Sequence, residues 1–396
     1  MLNYLKYKGA FKGVFMKKTL KILLFGLLAA IMAVSAFACS GSTDSGKKGL
    51  ILTKSADSDS YKVAKFVDDG VSVVNGTLDI GAIATEQGKT VGKIKSGAFN
   101  GDSSIKKLVV PATVTEIEAG AFAGMKALEE IVLPFIGANA TGDASFNQTG
   151  SAENKAVEEK RSIGYVFGKT EYAEGKTETL FYAAEKSSVY YLPVSLTKIT
   201  INPAENYRLP MYAFNGLNDV ATVVLGDKVV EIGEYAFANS GVSAVTVADT
   251  VESIDAYAFY NCKNLKGLSF GAASALAEIK SHAFYATSIE NIVLPAGVTK
   301  IGEYAFASEI DSSANPIAAK NASALESITL SANLTEIGEG AFLLCKSLTT
   351  VDFSAVTAAT VDLGNYGFAY CTALTVATVE GKCNYNANGN CFKDCL

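Results

Sequence analysis

The chain has 396 residues, of which 49% are apolar and 19% charged; that is enough apolar content for a folded core and too much for a disordered tail. Its 34 Lys plus Arg face 40 Asp plus Glu, a formal net charge of −6, and only Arg161 and Arg208 are arginines, a balance that argues against a nucleic-acid binder. A single histidine, His282, argues against His-triad hydrolases and multi-histidine metal sites, so neither an enzyme nor a cofactor is expected.

In chain order, residues 1–38 read as a signal peptide: basic Met16-Lys17-Lys18-Thr19-Leu20-Lys21, an apolar run Ile22 to Val34, then small residues Ser35-Ala36-Phe37-Ala38. The run is shorter than the roughly 20 residues of a membrane-spanning helix. The start is Met1 or Met16. Cys39-Ser40-Gly41-Ser42 resembles a bacterial lipoprotein box, which implies acylation of Cys39 and a membrane anchor. Ala36 stands where such boxes usually carry Leu, and Ala36-Phe37-Ala38 also fits ordinary cleavage that leaves Cys39 unmodified. Residues 39–50 form a tether. All six basic residues before Cys39 are lysines and no acid precedes it, so without that segment 28 basic residues face 40 acidic ones, a net −12.

Residues 51–93 are expected as an amino-terminal cap, and a repeat takes over from there. Ile/Leu-x-x-x-Ala/Gly-Phe begins at Ile94, Ile117, Leu209, Ile232, Ile254, Ile279, Ile301, Ile337 and Leu363, at intervals of 23, 92, 23, 22, 25, 22, 36 and 26. A basal period of 22–23 lies in the leucine-rich-repeat window. After each Phe a loop leads to an alternating triplet such as Ile131-Val132-Leu133, which predicts one short strand per turn with Val132 pointing outward. No such unit buries its own apolar face, so neighbours must stack into a β-rich, right-handed, curved solenoid. Its parts are residues 94–134 and 196–380. An island insertion, 135–195, separates them; a smaller insertion covers 308–323, and 381–396 close the end as a cap.

The corner Ile-Gly-Glu-Tyr-Ala-Phe at 232–237 and 301–306 resembles that of the BspA-type leucine-rich-repeat surface proteins of host-associated bacteria. So does the island order Pro134-Phe135-Ile136-Gly137, Gly164-Tyr165-Val166-Phe167-Gly168 and Tyr190-Tyr191-Leu192-Pro193. The resemblance spans about residues 80–380. It implies an exported, cell-surface or outer-membrane protein that binds an extracellular protein partner, host matrix proteins or other microbes among them. No catalytic residue belongs to that pattern.

Three features are candidate sites. The outward strand positions Val109, Val132, Thr200, Val224, Thr246, Ser269, Val293, Thr329, Asp352 and Thr378 form a Val/Thr strip suited to protein docking, although β-branched residues suit strands whatever they face. The residue before Ala/Gly-Phe is Tyr212, Tyr235, Tyr257, His282, Tyr304 or Tyr366, and Gly at 97, 120 and 340. These rings should stack into an aromatic ladder that either binds a ligand, glycans included, or only stabilises the repeats. Cys262, Cys345 and Cys371 lie three residues after a corner Phe, as packed thiols or, for Cys345 and Cys371, within disulfide reach. Cys383, Cys391 and Cys395 crowd the end, where a disulfide could staple the cap. Asp57-Ser58-Asp59-Ser60 lacks the Gly and distal Glu of a calcium loop, and no metal site is expected. A purely structural envelope protein is the rival reading.

Overall fold

The computed structural model describes residues 47–139, 159–311, 313–314, 317–375, 383–385 and 390–396. The expected repeats wind into stacked turns whose equivalent strands pair in parallel. A seven-stranded sheet runs Thr77–Asp79, Lys107–Val109, Glu130–Leu133, Lys198–Ile201, Thr222–Leu225, Ala244–Val247, Gly267–Phe270, and a separate three-stranded sheet continues with Asn291–Val293, Ser327–Thr329 and Thr350–Asp352. These are the strands that the alternating triplets predict.

One strand per turn proves incomplete. The Ile or Leu that opens each corner motif ends a second strand; from Leu209 onward these segments form their own eight-stranded sheet, Tyr207–Leu209 to Cys383–Tyr385, while Val91–Ile94 and Glu116–Ile117 pair in a separate four-stranded sheet with Gly49–Lys54 and Tyr61–Val67. Several are two residues long, such as Ser253–Ile254 and Glu278–Ile279, too short for any periodicity to betray them. Their pairing is nonetheless regular: Ile232 sits beside Ile254, Ile254 beside Ile279, and Ile279 beside Ile301.

The corner between the two strands carries the packing. Its Phe points inward, and the rings of Phe214, Phe237, Phe259, Phe284, Phe306, Phe342 and Phe368 stack at centroid spacings of 4.8–5.5 Å. Each Phe N–H donates to the next turn, as from Phe259 to the Ala283 carbonyl at 2.8 Å. Full burial of each ring contributes on the order of 1.5–3 kcal/mol. The chain bends through two left-handed residues, one two before the Phe and one two after it. Around Phe259 these are Tyr257 (φ 58°) and Asn261 (φ 59°); around Phe237 they are Tyr235 (φ 55°) and Asn239 (φ 56°). No Val, Ile or Thr occupies either position with positive φ, as β-branched side chains resist that conformation. The glycine of Ile-Gly-Glu-Tyr answers a different need: a Cβ on Gly302 would lie 2.6 Å from the main chain of Lys280 in the preceding turn.

The insertions are built onto this stack. Within 135–195, the helical turn Gly164–Phe167 takes a corner's place: Phe122 N–H donates to the Val166 carbonyl, and Phe167 packs edge-on against Phe122. An antiparallel hairpin follows, Gly175–Ala183 with Lys186–Pro193, and its buried Glu178 accepts from the main-chain N–H of Asn218 and Asp219. The hairpin Glu309–Asp311 with Ala318–Asn321 lies in the second insertion, and Ile310, Ile317 and Ala319 pack on a small apolar cluster apart from the main core. Stacking also reaches into the segments expected as caps. Thr77–Asp79 and Val91–Ile94 pair with the turns that follow, and near the end Phe392 stacks on Phe368 at 5.8 Å.

Candidate functional site

The strip of outward residues forms as the register predicts. Val109 pairs with Val132, Val132 with Thr200, Thr200 with Val224, Val224 with Thr246, and Thr246 with Ser269. Val293, Thr329 and Asp352 align likewise on the second sheet. Their neighbours Ile131, Leu133, Ile199, Val223 and Leu225 are buried, which fixes the strip on the solvent side. It is interrupted once. No backbone hydrogen bond joins Gly267–Phe270 to Asn291–Val293 among the described residues; the Lys266–Glu290 ion pair, 2.9 Å, spans the gap. Beside it Val293 is 68% exposed. Cys39 and Thr378 lie outside the described residues.

The aromatic ladder also forms. Tyr212, Tyr235, Tyr257, His282 and Tyr304 stack at 5.2, 4.7, 4.6 and 5.0 Å, with interplanar angles from 6 to 29°. Every rung has positive φ, 52–60°, a conformation that costs a non-glycine residue about 1–2 kcal/mol. Stacking offsets that strain at about 0.5–1.5 kcal/mol per pair, and the turns without a ring use glycine: Gly97, Gly120 and Gly340. Tyr304 ends the continuous run, because its ring leans over Gly340 to within 2.5 Å of where a Cβ would be, and Tyr366 stands beyond. The left-handed requirement is what a reading of the sequence misses, though glycine alternating with large rings at one position is its signature.

The rings spend their faces on each other and offer edges and hydroxyls outward. Burial pushes the Tyr235 phenol up, with neighbouring Tyr257 and Tyr212 adding to it. Burial holds His282 below its ordinary value; its Nδ1 lies 2.7 Å from the Ser281 hydroxyl. Burial, then the charge of Asp255, raises Glu231 and Glu234 on the same edge.

The cysteines serve the stack. Cys262, Cys345, Cys371 and Cys395 each donate a thiol hydrogen to the carbonyl of a corner Phe one turn back, at 3.0–3.1 Å. No disulfide joins the six described cysteines, Cys345 and Cys371 included. Burial pushes the Cys262 thiol up to about 12.

Parallel strands, a one-turn register and a stacked phenylalanine spine define a leucine-rich-repeat solenoid. The chain belongs to the BspA-type leucine-rich-repeat family, whose model matches in six copies over residues 86–170, 186–312 and 317–396. A comparison with curated proteins returned no match. Among solved structures, a T. pallidum leucine-rich-repeat protein is 20% identical, covering 55% of this chain and 98% of its own, with a TM-score of 0.40. A leucine-rich-repeat protein of Bacteroides ovatus is 16% identical over 89% of this chain and 90% of its own, at a TM-score of 0.32. The pneumococcal vaccine antigen PcpA is 14% identical over 83% of this chain and 81% of its own, at 0.29. At such scores the superpositions carry no argument, and membership rests on the repeat match. No helix among the described residues is long and apolar enough to cross a membrane.

Proposed function

We propose that this protein is a non-enzymatic, surface-exposed binding protein that adheres to host matrix proteins or to other cells, anchored through an acylated Cys39. The observation that supports it is the in-register strip from Val109 through Val132, Thr200, Val224 and Thr246 to Ser269. Six adjacent strands each set one uncharged side chain in line on a solvent-facing sheet, beside the mutually paired Lys107, Glu130 and Lys198, the kind of extended surface on which stacked repeats receive protein partners. A glycan ligand is less well served by the ladder, since Tyr235 and Tyr257 hold their faces 4.7 Å apart against each other and sugar stacking needs a free face.

The test is saturable binding of the purified protein to immobilised fibronectin, fibrinogen and a glycan panel at physiological salt. Val132→Lys, Val224→Lys and Val293→Lys together should abolish binding to the protein ligand. Retained binding by a folded triple variant would remove the strip from the reading, and absence of binding across the panel would favour a structural envelope role. Failure of Cys39 to incorporate labelled palmitate would refute the anchor.

A further inference from the structure

A thiol fills the slot three residues after the corner Phe in four turns, and its neighbours there are not alike. Cys262 has no second thiol beside it: the turn before offers Ser240, whose hydroxyl lies 3.5 Å from the Cys262 sulfur, and the turn after offers Thr287. Cys345, Cys371 and Cys395 fill the slot in three consecutive turns, whose rings Phe342, Phe368 and Phe392 stack on one another. Main-chain bonds beside the slot hold these turns in register: Leu344 N–H donates to the Ala369 carbonyl at 2.9 Å, and Tyr370 N–H to the Lys393 carbonyl at 2.6 Å. Parallel main chains so joined lie about 4.8 Å apart, inside the roughly 4.4–6.8 Å between Cα atoms that a disulfide spans. Cys345 and Cys395, two turns apart at about 10 Å, lie beyond that reach.

The middle sulfur feels both neighbours: burial, then a hydrogen bond with Cys345 and the charges of Cys345 and Cys395, raise the Cys371 thiol well above its ordinary value. Access comes from one side. Cys345 and Cys371 are fully buried, whereas Cys395 is half-buried. The Phe392 ring of its turn is partly exposed, while Phe342 and Phe368 are not, so that turn opens before the other two.

We infer that Cys345, Cys371 and Cys395 form an oxidation site that takes up one disulfide, always through Cys371. The oxidant is a small disulfide-bonded compound. The Cys395 thiolate attacks one of its sulfurs and expels a thiolate; the Cys371 thiolate then attacks the Cys395 sulfur and expels the second. The Cys371–Cys395 bond forms, the oxidant's S–S bond breaks, and the two protons of the protein thiols end on the two expelled thiolates. Attack of Cys345 on the Cys371 sulfur moves the bond inward and frees Cys395. Either bond ties neighbouring turns together, and neither is open to Cys262.

The test treats the purified protein with glutathione disulfide at mildly alkaline pH, alkylates the remaining thiols in denaturant and maps tryptic peptides without reductant. Lysines separate the thiols: Cys345 falls in 321–346, Cys371 in 347–382, Cys383 and Cys391 in 383–393, and Cys395 in 394–396. Peptide 347–382 should appear joined to 394–396 or to 321–346, about 2 Da lighter than the two thiol peptides together, while Cys262 stays alkylated. C371S should leave both Cys345 and Cys395 alkylated, and C395S should still join 321–346 to 347–382. A parent with no link through Cys371, a Cys345–Cys395 link in C371S, or oxidation of Cys262 as fast as that of Cys371 overturns the proposal. The parent's own map decides the first of these, whatever the variants do to folding.

Discussion

Replacing Tyr257 separates two forces that act on one residue. The ring lies between Tyr235 at 4.7 Å and His282 at 4.6 Å, and its backbone sits at φ 58°. Removal to alanine loses two stacked contacts, about 1–3 kcal/mol together, and leaves the left-handed strain of about 1–2 kcal/mol in place. Removal to glycine loses the same contacts and releases that strain, against a backbone entropy cost of roughly 0.5–1 kcal/mol. Tyr257→Gly should therefore be more stable than Tyr257→Ala, by up to about 1.5 kcal/mol, the reverse of the order in ordinary strands or helices. Tyr257→Phe keeps both stacks and should stay close to the parent. Urea unfolding followed by circular dichroism gives the comparison directly. An alanine variant as stable as the glycine variant would show that the corner does not impose the left-handed conformation, and the account of Gly97, Gly120 and Gly340 would go with it.

Three further outcomes follow from the same geometry. Gly340→Ala should cost more than Gly120→Ala, since the added methyl meets the Tyr304 ring at 2.5 Å in the first and nothing nearer than 3.7 Å in the second; both share the left-handed strain, so thermal melts of the pair isolate the clash, and equal melts would contradict it. His282 has a folded pKa held below 6.5 by burial, so its neutral ring contributes stability that is whole above about 6.5 and is lost as pH falls through the lowered value. His282→Tyr should remove that part of the pH dependence of unfolding, and an unchanged profile would place its origin elsewhere. With its thiol pushed up to about 12 and fully buried, Cys262 should resist alkylation at mildly alkaline pH until the chain unfolds; rapid native labelling, read by peptide mass, would refute the packed-thiol role.

The features legible in the sequence are those that repeat with a large side chain. Phe237, Phe259 and Phe284 announce the spine because each follows an alanine in the same motif, recurring after 22 and 25 residues, and Val224 and Thr246 can be placed outward because the triplet around each alternates. The second strand escapes notice because Glu278–Ile279 contributes a single inward residue. The corner's φ signs are hidden for another reason: tyrosine at 212, 235 and 257 does not advertise a left-handed backbone, and only the glycines in the same register reveal it. The island is recognisable by its motifs, yet its use of Phe167 as a neighbour of Phe122 depends on a tertiary contact that no spacing predicts.

Ile232 and Ile254 hold the same position in consecutive turns and pair with each other. Excising residues 233–254 would thus join Ile232 to Asp255 without a change of phase: every inward residue would stay inward, every hydrogen-bonding group would meet an equivalent one, and the chain would be one storey shorter. Unequal crossing-over between such segments is then nearly silent to the fold while altering the number and order of surface side chains. The length of the stack and the charge pattern on its surface can therefore drift independently of foldability.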